Sequence, residues 1–511
     1  MTERHGQELR GLSTAGRSPL FQGRFGRMFR NLPKATFGAT DDDNVKNLTT
    51  LATAMSGKFD APKDGVDPEE SGIPALYTYF GQFIDHDITF DPMSSLIKQN
   101  DPNALVDFRN PALDLDNVYG RGPNDQPYMY DGPMKFLLGH QIAGSNNEAT
   151  DLPRNSKGRA LIGDPRNDEN SIVSQLQGLF LRFHNRLVDQ YGKMPGIAFG
   201  DIQQKLRFHY QYLILNDFLP RIVHKSVLDQ LKTNGRYDHK KMKFYHWKND
   251  PFMPVEFSVA AYRLGHSMVR PGYRLNDGRN SLLPIFPDPP GSAHGLTGFR
   301  PIHTGHAIDW GRFIDVDIRR YDGPKKIQEK RLQFAYRIDT SLVHPLSALP
   351  LPAVVTDRPR ALAARNLIRG WSLGLPSGQD VARAMGIKPL ADNEILIGQG
   401  VDKKKDLDKP LMPAAKIDPV FADNCPLWTY VLAEAMHYRV PVRIPVQERK
   451  SIHTPQLGPV GGRIVAEVLL GLMFGDTDSM LQLDPLWQPK AGPDFALKDF
   501  VNFALGNGTA L

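Results

Sequence analysis

The sequence predicts a mainly α-helical protein, and three observations carry that expectation. Apolar residues recur at helical spacing in several long segments, while strand-like alternation is scarce and short. The 41 prolines and 45 glycines are scattered through the chain, so no linker or turn-rich tract stands out. No internal repeat or low-complexity tract is visible in the 511 residues. Residues 1–35 read as a basic, Gly/Arg-rich N-terminal arm, with Phe21, Phe25 and Phe29 spaced four apart so that they can dock on the body. The length prior allows about three domains, yet residues 36–511 read as one.

The elements follow in chain order. Gly81 to Phe90 reads GQFIDHDITF. In a helix, Gln82 and His86 lie four apart on one face, Asp85 borders that face, and Asp87 turns roughly 100° away from His86. The clearest helix is expected to start at Asp164, which can cap it. Pro165 suits its first position, and Asp168 and Glu169 complement the positive end of its dipole. Ile172, Leu176, Leu179, Phe180, Phe183 and Leu187 then recur at helical spacing. Further helices are expected from Pro254 to about Val269, ended by Pro271, from about Arg358 to Arg369, and from Val460 to about Phe474.

Composition narrows the function classes. A hydrophobic content of 41% can build a sizeable core, and a net charge of +6 is a mild excess spread along the chain. The densest basic run, Lys403 to Lys405, is too short to indicate nucleic-acid binding. The single cysteine, Cys425, excludes an internal disulfide. The N-terminal residues lack the apolar stretch of a signal peptide. The most apolar segment, Val465 to Phe474, is about half the length a bilayer requires and contains Glu467. A soluble protein of unknown cellular address is the expectation.

Four separated segments carry polar groups that helix packing alone would not ask for. They are the 81–90 segment, DPRNDEN with Arg166 and Glu169 three apart, AAYRLGHSMVRP with His266 three after Arg263 and four after Tyr262, and ARNLIRG with Asn366 and Arg369 three apart. Singly, each has a bland reading as a structural histidine or a surface ion pair. Together they suit haem-dependent peroxide chemistry, which needs one axial imidazole on iron and a second, unligated imidazole on the other side. His86 would be the proton-transferring base, Gln82 a polar positioner and Arg166 an electrostatic clamp for the charge that develops as the O–O bond breaks. His266 would be the axial ligand, with Asn366 accepting its second ring proton.

With those residues in place, the chain resembles the animal-type haem peroxidases of the peroxidase–cyclooxygenase superfamily, in their bacterial branch. The matching motifs are YTYFGQFIDHDITF, NPALDLDNVYG, DLPRN, LIGDPRNDEN, FLRFHNRL, YRLGHSMVRP and ARNLIRGWSLGLPSGQ, in order, between about residues 23 and 470. The resemblance implies a haem-centred, mainly α catalytic domain over residues 36–511. It implies a peroxidase that reduces H2O2 to water and oxidises small organic donors or halides through a ferryl state of haem b. It also implies that Asp85 and Glu169 form ester bonds to haem methyl groups, and that Arg263 and Arg369 sit near the propionates. Asn170 stands where members with a third, sulfonium link carry methionine, so that link is expected to be absent. A Ca²⁺ site is implied at Asp87, Asn110, the Ala112 carbonyl, Asp114 and Asp116, where Asn110 and Asp116 replace a threonine and a serine of mammalian members.

Within the same superfamily, fatty-acid dioxygenases carry a tyrosine three residues before the proximal histidine. Here that position is Arg263, and Tyr262 lies one residue earlier, which favours plain peroxidase turnover. Two readings outside this chemistry compete. The His86–Asp87 pair could belong to an HD-type metal phosphohydrolase, which would have no use for Arg166, His266 and Asn366. A haem-less binding module would not keep every polar position intact.

Overall fold

The computed structural model describes residues 23–58, 62, 64–89, 106–107, 111–142, 149–248, 250–278, 281–287, 294–321, 331–350, 359–447 and 449–508. Phe21, Asn110 and Arg358 lie outside the described residues. The helices that matter for the site are α1 (Asp41–Ala54), α2 (Leu76–Ile88), α3 (Ser171–Tyr191), α4 (Phe199–Leu213), α5 (Leu362–Ser372), α6 (Leu427–Ala435), α7 (Pro459–Gly475) and α8 (Leu497–Leu505). Strands are short, five residues at most among the described residues. Among the longest are Glu70–Pro74, which pairs antiparallel with Phe334–Tyr336, and the hairpin of Arg439–Arg443 with Ser451–Pro455. The mainly α expectation therefore holds.

Helix α2 runs through the middle of the main apolar core. Phe80, Phe83 and Ile84 are fully buried on it, and Phe83 stacks on Phe180 of α3 with centroids 4.2 Å apart. Phe183, one turn further along α3, stacks on Phe500 of α8 at 4.3 Å. Such aromatic pairs contribute about 0.5–1.5 kcal/mol each beyond their burial, so α2, α3 and α8 are locked in mutual register. Glu434 on α6 places its carboxylate at the start of α7, accepting from Val460 N and Gly461 N at 3.0 Å each. Pro459 takes the first helical position, where a missing N–H costs nothing.

Three expected helices differ from the structure, two of them for a local reason. The helix expected from Asp164 is two pieces. Asp164 caps a 3-10 turn over Pro165–Asp168, and Asn170 then caps α3, its side chain accepting from Ile172 N and Val173 N. Asn170 is extended and bridges to Thr297, while Glu169 O accepts from Gly298 N, so the chain leaves helical geometry to pair with a neighbouring segment. The segment from Pro254 is helical but not α: a π-helix over Glu256–Ala260 passes into a 3-10 helix over Ala261–His266. Glu256, wholly buried, accepts from Met28 N and Phe29 N at 3.1 Å, which ties this segment to the incoming N-terminal residues. The third, α5, starts at Leu362, later than expected, and still contains Asn366 and Arg369. The fourth, α7, spans Pro459–Gly475 as expected.

Phe25 and Phe29 are buried in the main core, and residues 23–26 form a strand beside Met253–Pro254. No helix among the described residues is long and apolar enough to cross a membrane.

Candidate active site

A largely apolar cavity of about 500 Å³ opens between α2 and the 261–266 segment, and it gathers most of the polar residues singled out in the sequence. Gln82, Asp85 and His86 line one wall, Glu169 and Asn170 its edge, and Arg263 and His266 another wall. Helical periodicity puts Gln82, Asp85 and His86 on the cavity side of α2 and sends Asp87 into the protein on the far side, where it is wholly buried.

The α2 wall is tied together by side chains. Gln82 Nε2 donates to Glu169 Oε1, and Gln82 Oε1 accepts from Asn170 Nδ2 at 3.2 Å. His86 Nε2 stands 3.8 Å from Glu169 Oε1, and His86 Nδ1 meets Asn167 Oδ1 at 2.8 Å. Asp85 Oδ1 accepts from Thr89 Oγ1 at 3.2 Å. Burial raises the Glu169 carboxyl above its ordinary range, against the pull of the neighbouring His86 and Arg166. Its side chain is 35% exposed, and the surface it exposes faces the cavity.

On the other wall, burial first and the Arg263 charge second push the His266 imidazole down to about 3, so it is neutral at every working pH. Asn366 of α5 brings Nδ2 to 2.7 Å from His266 Nδ1. Turning that amide end for end presents Oδ1 instead, which accepts the Nδ1 proton and leaves Nε2 as the ligating atom. Residues three apart eclipse in a 3-10 helix, so Arg263 and His266 share a face more closely than they would in an α-helix. Arg263 Nε donates to Ser258 O at 3.1 Å, and the Asp85 charge partly offsets its burial.

Arg166 is nearby but engaged elsewhere. Its guanidinium bonds Asp164 at 2.8 Å and the carbonyls of His86 and Thr89 at 2.9 and 2.6 Å, and it is not among the residues lining the cavity. A cation on the last carbonyls of α2 complements the helix dipole and fixes the end that carries His86. Arg369 and Asn366 do not line the cavity either. The sequence reading missed Asn167 and Thr89 as site residues and took Asn170 only as the position where a third haem link is absent. Their positions follow from the break between the 3-10 turn and α3 and from the last turn of α2.

Behind α2, the carboxylates of Asp87, Asp114 and Asp116 offer oxygens within 4.8 Å of one another. Burial, then the charges of Asp114 and Asp116, raise the Asp87 carboxyl well above its ordinary range. Asp87 Oδ2 accepts from Leu115 N at 3.3 Å, while buried Oδ1 finds no donor of good geometry among the described residues, the nearby Tyr210 phenol included. Leu115, buried, sits at φ 63°, ψ 33°, a left-handed conformation that costs a branched residue about 1–3 kcal/mol. Asp87 on α2 and Asp114 and Asp116 in the adjoining loop thus cluster three carboxylates, the type of donor a hard, oxygen-seeking cation takes. Ala112 lies in the same loop, and Asn110 falls outside the described residues.

Comparison with known proteins is consistent across sequence and fold. A family model described as animal haem peroxidase matches residues 96–285. A dual oxidase of Drosophila melanogaster is 30% identical over 233 residues, covering 45% of this chain and 14% of its own length. The chain spans less than a third of the length of the curated relatives it matches. Peroxidase A from Dictyostelium discoideum has a similar fold, with a TM-score of 0.62 at 14% identity over 96% of this chain and 94% of its own. A fatty acid alpha-dioxygenase of Arabidopsis thaliana follows, with a TM-score of 0.54 at 14% identity over 94% and 78% of the two chains.

Proposed function

We propose that this chain, which belongs to the peroxidase–cyclooxygenase superfamily, is a haem peroxidase that reduces H2O2 to water while oxidising small organic donors or halides. The observation that carries this reading is the cavity of about 500 Å³ with an imidazole, His86, on one wall and a neutral, amide-backed imidazole, His266, on another. An iron porphyrin suits that space: the walls are largely apolar, the His266 imidazole would be available to its iron, and the Asp85 and Glu169 carboxyls and the Arg263 guanidinium line the same cavity. When bound, the haem supplies the iron and the electrons that cleave the peroxide O–O bond.

The chain's own residues bind, orient and move protons. His266 would hold the iron through Nε2, with Asn366 fixing the ring. His86 takes a proton from peroxide at Nε2 and returns it to the departing oxygen as water leaves. Gln82 orients peroxide and holds Glu169 in place through its Nε2. Arg166 supports this chemistry from behind, as a fixed charge that anchors the His86 carbonyl. Asp85 and Glu169 are the proposed ester links to haem, and Arg263 and Arg369 the proposed propionate partners. Asp87, Asn110, the Ala112 carbonyl, Asp114 and Asp116 are proposed to hold Ca²⁺ and so to pin the far side of α2.

A visible spectrum of the purified, haem-supplemented protein tests this reading. A Soret band that shifts on adding peroxide is expected, and its absence overturns the proposal. One observation favours a second reading, fatty-acid dioxygenation: Tyr262 lines the cavity, its phenol donating to Gly81 O at 3.2 Å. Oxygen uptake on adding a fatty acid, lost in Tyr262→Phe, would favour that activity over plain peroxidase turnover.

A further inference from the structure

Resting on the peroxidase reading, we propose that Asn167 and Gln177 form a two-amide relay that holds His86 in the tautomer protonated on Nδ1, leaving the Nε2 lone pair toward the cavity. Asn167 Oδ1 is 2.8 Å from His86 Nδ1, and Asn167 Nδ2 donates to Gln177 Oε1 at 2.8 Å. An amide has one oxygen and one NH2 group. With its NH2 given to Gln177, Asn167 presents only an acceptor to the imidazole, and Nδ1 must carry the proton.

Both amides are 0% exposed and His86 is 4% exposed, so water cannot stand in for a missing partner. In such a setting an unmatched polar contact is costly, and the relay has authority over the ring. Asn167 is held in turn by the 3-10 turn before α3, where its N donates to Asp164 O at 3.1 Å, and Gln177 projects from the rigid body of α3. The His86 end is held by Arg166 on its carbonyl.

The relay also suits a full proton cycle. Neutral His86 accepts the peroxide proton at Nε2 and becomes an imidazolium, whose Nδ1–H still donates to the same Asn167 oxygen. Return of the Nε2 proton to the departing oxygen restores the starting state, and no side chain has to turn. Turning both amides together would satisfy the same two contacts while placing a proton on Nε2, and a base would then be missing. Asn167 and Gln177 are thus positioning residues that decide whether His86 can act.

The test reads the tautomer directly. In the full chain carrying diamagnetic zinc protoporphyrin, with histidines selectively labelled with 15N, His86 is assigned by its loss in His86→Gln. The expected result is an unprotonated Nε2 and a protonated Nδ1. Asn167→Leu is expected to give a mixture of tautomers and to slow peroxide reaction of the haem-loaded protein roughly tenfold, the value of one net hydrogen bond, with haem still bound. Gln177→Glu, whose carboxylate only accepts, retains the Nδ1–H form, and Gln177→Met loosens it. A wild-type ring protonated on Nε2 overturns the proposal and needs no variant to fold; so does an Asn167→Leu ring with an unchanged tautomer. If the Nδ1–H form is found but the haem-loaded wild type ignores peroxide, the relay stands and the peroxidase reading falls.

Discussion

Asn366 and His266, a hundred residues apart in the chain, meet with 2.7 Å between the amide and Nδ1. That contact links α5 to the 261–266 segment and holds the imidazole ring while burial and Arg263 keep it neutral. His266→Ala is therefore expected to remove the iron ligand and, with it, most haem retention on gel filtration. Asn366→Leu is expected to keep haem but weaken it about 10–100-fold, the usual effect of losing a partner behind a metal-bound histidine. Haem titration followed at the Soret band measures both.

The second prediction concerns Asp85 and Glu169, which both face the cavity. After peroxide treatment of the haem-loaded protein, acid–ketone extraction is expected to leave haem with the wild-type chain. Asp85→Asn or Glu169→Gln alone leaves one link, and the double variant releases all the haem. Free extraction from the wild type contradicts the ester assignment.

A cation on Asp87, Asp114 and Asp116 predicts a third result. Chelation is expected to lower the thermal midpoint, and Ca²⁺ at about a hundred times its dissociation constant to restore about 2.7 kcal/mol. Asp87→Asn should abolish that response. Differential scanning calorimetry with and without chelator reads it, and an unchanged midpoint counts against a cation there.

Stability should also depend on pH through Glu434. Burial raises its carboxyl to about 7, and the amides of Val460 and Gly461 only partly oppose this. The folded pKa lies above the unfolded value of about 4.3. The native state therefore binds the extra proton, and the associated stability is full below about pH 4 and lost as pH rises through 7. The loss amounts to about 4 kcal/mol. Glu434→Gln should remove that decline, matching the wild type near pH 5 and exceeding it at pH 8.5 in thermal melts.

Much of this was legible because helical periodicity is a strong constraint. The division of labour on α2, with Gln82, Asp85 and His86 toward the cavity and Asp87 away, needs only 3.6 residues per turn. The helical nature of the 254–269 segment was legible too, but its π and 3-10 geometry was not. That geometry accompanies the capture of Met28 and Phe29 by Glu256, a contact across more than 220 residues of sequence. Arg166 illustrates the same limit: the sequence offers a cation near the distal histidine, while the direction of its guanidinium depends on Asp164 and on where α2 ends. Asn167 could not be singled out because its aim follows from the break at Asn170. That break had a visible signal, a second capping residue six positions after Asp164.

The central claim is that His86 performs proton transfer opposite a haem held by His266, and stopped-flow mixing of the haem-loaded protein with H2O2 tests it most directly. His86→Ala is predicted to keep the Soret band and lose a factor of about 10²–10⁴ in the rate of peroxide reaction, the range general acid–base catalysis contributes. Equal rates for the variant and the wild type would contradict the account.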